Sequence, residues 1–229
     1  MKKLILSFVL LLAGLSVSAQ DGGTSEWLTE FSEVSLSGPF AVTFVQVPET
    51  EAPRIVYDTK GSYTSKFKAE VRNGVLTVTE KTEARRTTTT EVKVCFHAIR
   101  RIRVSGATVS FPGPFKAAML DVGVNGGATF DGTFDVTDLA VELSGRSRAI
   151  LSGEVRYLTL TAATGKVDAA RLRAMSVRAE ASNSAEVSVC ATERLEAKTS
   201  TDARISYTGD PAVLRGGAGF TGGEVVELD

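Results

Sequence analysis

A repeat of about 19 residues runs through the second half of this chain and limits what it can fold into. Aligned on one turn position, Ser105-Gly106, Asn125-Gly126, Ser144-Gly145, Ala163-Thr164, Ser182-Asn183 and Ser200-Thr201 follow at spacings of 20, 19, 19, 19 and 18. Before each turn, alternate positions are apolar: Ile102/Val104, Leu120/Val122/Val124, Leu139/Val141/Leu143, Leu158/Leu160/Ala162, Val177/Ala179/Ala181 and Leu195/Ala197/Thr199. Strand text and turns at a period near 20 are the signature of a stacked solenoid. One such coil has an apolar inner face and two unpaired strand edges. Neighbouring coils cover both, so stability grows by the interfaces between repeats.

A second ladder supports the register. Phe111-Pro-Gly-Pro-Phe115 and Phe130-Asp-Gly-Thr-Phe134 match at 19 residues, and Leu151-Ser-Gly-Glu-Val155 follows at 21. The spacing predicts a second corner at each x-Gly-x, with Phe111 over Phe130 and Phe115 over Phe134 inside the stack. It also lets Ser or Asn side chains hydrogen-bond from turn to turn. The fold class expected is all-β: a single-stranded parallel β-helix of about 19 residues per coil, right-handed by the general preference of parallel β connections.

Along the chain, residues 1–19 read as a signal peptide. Lys2 and Lys3 form its positive end, Leu4 to Leu15 its apolar stretch, and Val17-Ser18-Ala19 its cleavage site. Residues 20–27 read as a disordered leader, with Trp27 capping the stack. One β-helix domain is expected over 28–229, with irregular coils over 28–98, regular coils over 99–211 and a Gly-rich closure over 212–229. Within the irregular part, Val34-Ser-Leu-Ser-Gly38 looks like an early copy of the later turns. Asn73-Gly74 predicts a tight hairpin, because both central residues of such a turn need positive φ. The charged run Glu80 to Arg86 predicts a protruding loop.

The order Phe31-x-x-Val34-x-Leu36-Ser-Gly-Pro-Phe40-x-Val42-x-Phe44-x-Gln46, then Asn73-Gly-Val-Leu-Thr-Val78, then Val104-Ser-Gly106 and its copies, then Ile205-Ser-Tyr-Thr-Gly-Asp-Pro211, resembles the head GIN domain of putative auto-transporter adhesins. The resemblance covers roughly residues 30 to 228. It implies an exported β-helix of Bacteroidetes-type Gram-negative bacteria, with no established activity.

Chemistry is sparse by comparison. Loss of Lys2 and Lys3 leaves 24 basic residues against 27 acidic ones, which disfavours a nucleic-acid partner. No later segment reads as a membrane span. Cys95 and Cys190 lie five repeats apart, far beyond the roughly 7 Å that a disulfide allows, so two free thiols are expected. The one histidine, His97, has no evident partner and reads as structural. Asp121, Asp131, Asp135 and Asp138 follow no calcium motif, and no Cys/His set has zinc spacing, so no metal or cofactor is expected. Tyr57, Tyr63, Tyr157 and Tyr207 show no common spacing, and no aromatic glycan platform is visible.

Parallel β-helices include polysaccharide lyases and hydrolases, which work with clustered carboxylates on an outer face. Asp131 and Asp135 with Arg146, Arg148 and Arg156 on the next coil form the candidate cluster for that reading. The reading preferred from sequence is a non-enzyme: an exported, adhesin-like or structural solenoid with no catalytic, metal or cofactor residues. Its expected partner is an envelope protein or glycan, in the periplasm, at the outer-membrane periphery or at the cell surface. A homo-oligomer paired through a flat outer sheet is a further reading.

Overall fold

The computed structural model describes residues 23–60, 65–83, 87–218 and 222–228. The expected signal peptide lies outside the described residues. Sixteen strands follow in chain order: β1 (Thr24–Trp27), β2 (Glu33–Ser37), β3 (Ala41–Gln46), β4 (Arg54–Asp58), β5 (Phe67–Arg72), β6 (Val75–Glu80), β7 (Glu91–Phe96), β8 (Arg101–Ser105), β9 (Thr108–Asn125), β10 (Thr129–Ser144), β11 (Arg148–Ala163), β12 (Lys166–Ser182), β13 (Glu186–Thr199), β14 (Arg204–Thr208), β15 (Val213–Ala218) and β16 (Glu224–Glu227). All of them belong to one sheet, and the described residues hold no helix.

Strands β9 to β13 are the regular coils, stacked in parallel. Thr129↔Arg148 through Ser144↔Ala163 pair at an unbroken offset of 19 residues, which makes the chain a β-solenoid. Inner rows such as Val122, Val141, Leu160, Ala179 and Ala197 are buried from one coil to the next.

The first corner is a left-handed turn, and its conformation outlives its sequence mark. Gly126-Gly127, Gly145-Arg146, Thr164-Gly165, Asn183-Ser184 and Thr201-Asp202 all have positive φ. A β-branched residue such as Thr164 (φ 75°) is strained there, by roughly 1–2 kcal/mol. Backbone bonds between coils hold it: Gly38 N donates to the Ser105 carbonyl, Gly106 N to Asn125, Gly127 N to Gly145, Thr164 N to Ser182 and Ser184 N to Thr201. The turn-to-turn ladder is therefore made by amides rather than by the expected Ser and Asn side chains. Hydroxyl pairs between coils stand on the faces instead, as Thr43 with Ser110, Thr133 with Ser152 and Ser188 with Ser206.

The x-Gly-x position is a slip in the ladder inside continuous strands, not the turn expected from sequence. Across β9 and β10 the offset changes from 21 to 19 between Gly132 and Thr133, because Pro112 and Gly113 bulge outward. Phe111 therefore lies in register with Gly132, and Phe130 with Val109. The rings still meet, at 5.8 Å for Phe111–Phe130 and 6.2 Å for Phe115–Phe134. Gly132 leaves the room: a Cβ there would lie 2.6 Å from the tip of the Phe134 ring. With Phe44 stacked on Phe111 and Phe96 on Phe115, these rings form one aromatic core at the N-terminal side of the regular coils.

A further corner appears where two successive residues point outward in each coil. In β10, Val136 is buried, Thr137 and Asp138 are exposed, and Leu139 is buried again. Ala118-Met119 does the same in β9 and Arg156-Tyr157 in β11.

Coil order in space departs from chain order at the N-terminal end. β2 pairs with both β6 and β8, and β3 with both β7 and β9. The first coil of the chain is thus sandwiched between later ones, with Ser37 beside Ser105 as the early turn copy requires. β4 lies antiparallel on β7, and β5 antiparallel on β6 across the Asn73-Gly74 hairpin, both of whose residues have positive φ.

Three local expectations are corrected here. The leader expected to be disordered contains β1, because the edge of β4 offers backbone partners to Thr24–Trp27 whatever their side chains. Trp27 does not cap the core; it is paired with outward-facing Arg54 and stands exposed. Glu80 is not in a solvated loop but buried, accepting a hydrogen bond from Thr90 at 2.7 Å. At the other end, Val213–Ala218 forms a strand on β13 despite its glycines, since that pairing uses backbone alone. Leu214 continues the inner row from Leu195 yet is 51% exposed, so this strand leaves the end of the row open.

Candidate functional site

The corner at which two successive residues point outward in each coil carries the candidate site. Register places Met119, Asp138, Tyr157 and Ser176 one above another. Beside them run Thr137, Arg156 and Met175. Met119 is 62% exposed, Tyr157 49% and Met175 39%, and these are the exposed large hydrophobics described between residues 99 and 211. They stand on a single ridge because the alternation breaks there in every coil. Side chains that would point inward on a flat strand are turned to solvent.

The ridge has a recess on each flank. A shallow groove of about 370 Å³ is lined by Asp135, Thr137, Glu154, Arg156, Arg173 and Met175 among others. A smaller dimple of about 150 Å³ holds Met119, Asp121, Asp138, Tyr157 and Thr159. In the groove Asp135 and Glu154 are register partners, and Glu154 pairs with Arg173. Asp135 is 65% exposed at its side chain, with the Lys116 ammonium 3.6 Å away.

The candidate cluster drawn from sequence is split by the fold. Asp135 and Arg156 reach the groove. Asp131 lies in register with Ile150 on the stretch before it, Arg148 with Thr129, and Arg146 sits in the left-handed turn. Asp121 lies at the dimple, held by the two terminal guanidinium nitrogens of Arg103 at 3.0 and 3.1 Å and by Arg101 at 3.1 Å. These hydrogen bonds, Arg103's first, hold its carboxyl below the usual aspartate range. Among the described residues no group of three metal-ligating side chains converges.

Both thiols are free, Cys95 buried and Cys190 half-buried. From β7 to β13 the path crosses β3, β9, β10, β11 and β12. Six steps of about 4.8 Å keep them roughly 29 Å apart. The inserted coil adds one step to the five counted from sequence. His97 has partners that sequence could not show: its Nδ1 lies 3.1 Å from the Glu30 carboxylate and its Nε2 2.5 Å from the Glu51 carbonyl. Sequence reasoning also passed over the ridge, since Met119, Tyr157 and Met175 share no single spacing. Only the break in alternation at each second corner marks it.

A model of the family described as "Putative auto-transporter adhesin, head GIN domain" matches residues 30–211. The chain belongs to this family. The head GIN chain shares its fold with a putative adhesin from Bacteroides fragilis, at a TM-score of 0.84 and 16% identity over 90% of this chain and 96% of the other. A putative adhesin from Parabacteroides distasonis aligns at 0.69 and 16% identity, over 90% and 96%. A structure described as a putative lipid binding protein from the same species aligns at 0.63 and 16%, again over 90% and 96%. No curated protein sequence matches the chain. No helix among the described residues of this head GIN chain is long and apolar enough to cross a membrane.

Proposed function

We propose that this protein is an exported, non-catalytic, adhesin-like solenoid that holds an envelope glycan or protein along the Met119–Tyr157–Met175 ridge. The ridge is the observation that carries the reading. Contiguous exposed apolar side chains rimmed by polar ones mark interaction surfaces. Here the flank supplies both signs of charge, from Glu154, Arg156 and Arg173, while Asp138 stands within the ridge between Met119 and Tyr157. Family membership supports the adhesin-like part, and the signal-like residues 1–19 support export.

A second reading rests on Asp135 and Glu154, neighbouring carboxylates with Arg156 and Arg173 beside them. Glycoside cleavage needs one acid kept protonated by burial or by a like charge. Asp135 is open to water rather than buried, and the Lys116 ammonium stands 3.6 Å from it.

Incubation of the purified protein with envelope polysaccharides, followed by assay for new reducing ends or unsaturated products, separates the two. The proposal expects none. Product release that disappears in Asp135→Asn and Glu154→Gln would establish the enzyme reading instead.

A further inference from the structure

His97 follows β7 at the corner leading to β8, and three separate segments meet at its ring. Nε2 faces the carbonyl of Glu51, in the loop between β3 and β4, at 2.5 Å. Nδ1 faces the carboxylate of Glu30, in the segment ahead of β2, at 3.1 Å. Both partners only accept hydrogen bonds. A neutral imidazole carries one N–H and cannot donate to both, whereas the imidazolium carries two.

The surroundings favour the same form. Glu30 and Glu49 are the charged groups facing the ring, both acidic, and they line an open recess of about 540 Å³ with Phe31, Ser32, Gly74, His97 and Ala98. The nearest cation in sequence, Arg100, is turned to Glu33 at 2.8 Å. The bond to the Glu51 carbonyl, followed by the Glu30 charge, holds the imidazole above the ordinary histidine range against a counteracting desolvation. The backbone gives each segment an anchor of its own: Val47 N donates to the Phe96 carbonyl, and Arg100 N to Ser32. Loss of the imidazole bonds therefore loosens the loop tips without dismantling the coils.

We propose that His97 is a pH-dependent clamp that ties the β3–β4 loop and the segment before β2 to the β7–β8 corner, and that its deprotonation frees one of the two. The bare nitrogen left behind would face an oxygen lone pair. A histidine whose folded form favours the proton contributes its full stabilisation below the unfolded value of about 6.5. That contribution fades as pH rises through the higher folded value. Release would open the recess around Phe31 as the medium turns from mildly acidic to alkaline.

Because the chain has one histidine, its ring gives a single set of signals in long-range ¹H–¹⁵N spectra. Both nitrogens should stay protonated to a higher pH than in a free histidine, with a midpoint above about 6.5 that falls in Glu30→Gln. Hydrogen exchange, corrected for intrinsic rates, should show the amides of one of the two clamped segments, residues 49–52 or residues 28–32, several-fold less protected above the midpoint than below it. In His97→Gln they should be less protected at every pH. A midpoint at or below that of a free histidine would overturn the clamp, and so would His97→Gln keeping the wild-type pH dependence.

Discussion

Arg103 lies flat across Gly123, its neighbour on the next coil, and grips Asp121 with both guanidinium nitrogens. A Cβ on Gly123 would stand 2.7 Å from the Arg103 Cδ, so the missing side chain is the seat of the bidentate pair. Gly123→Ala should lift the arginine and weaken the pair, at a cost near 1 kcal/mol for a partly exposed site. Asp121 has its pKa lowered by this contact, so its stabilisation is present above the unfolded value of about 3.9 and is lost as pH falls through the lower folded value. Melting curves from pH 6 to pH 2 should show a shallower acid loss in Gly123→Ala than in the wild type. Parallel curves would remove the role given to Arg103.

Ser147 follows the left-handed corner in a row whose other members are Ala107, Ala128, Gly165, Ala185 and Ala203, the alanines all buried. Its hydroxyl is buried with no hydrogen-bond partner. An unmet buried hydroxyl costs about 1–3 kcal/mol, so Ser147→Ala should stabilise by about 1 kcal/mol and raise Tm by roughly 2–4 °C. A fall in Tm would show that the hydroxyl is satisfied.

Gly132 faces inward, where the Phe134 ring and the Phe111 Cβ fill the space a side chain would take. Gly132→Ala overpacks this core and should cost about 1–3 kcal/mol, read from chemical denaturation. The same change at Gly113, around which no atom lies within 4 Å of an added Cβ, should be nearly silent.

The repeat, the inward phenylalanines and the Asn73-Gly74 hairpin were legible because each depends on local spacing, and the free thiols because many repeats separate them. The insertion of β2–β3 between later coils was not legible. Parallel pairing is set by which edges are left open, and Val34 to Gly38 matches Val141 to Gly145 as well as it matches its actual neighbour, Ile102 to Gly106. The corner turns lost their sequence mark at Thr164 and Thr201 because backbone bonds between coils enforce the conformation. The ridge was hidden because Met119 and Tyr157 occupy alternate coils, with Asp138 between them.

Gln46 shows how one polar residue can fasten that inserted coil. Its side chain donates to the carbonyls of His97 and Lys116 at 3.0 and 3.1 Å and accepts from Lys116 N at 3.0 Å. Gln46→Leu keeps the bulk and loses all three bonds, so it should cost roughly 1–3 kcal/mol. Hydrogen exchange should report the loss first at Lys116, with the regular coils beyond β10 unchanged.

The most direct test of the functional reading is binding of the protein, expressed as residues 20–229, to intact Gram-negative cells, compared between wild type and a Met119→Glu/Tyr157→Glu variant. Both positions are exposed, so the two proteins should melt within a degree or two of one another. The account predicts at least roughly tenfold weaker binding by the variant, as expected when central anchors of an interface are lost. Equal binding by the two proteins would contradict the assignment of the ridge as the binding surface.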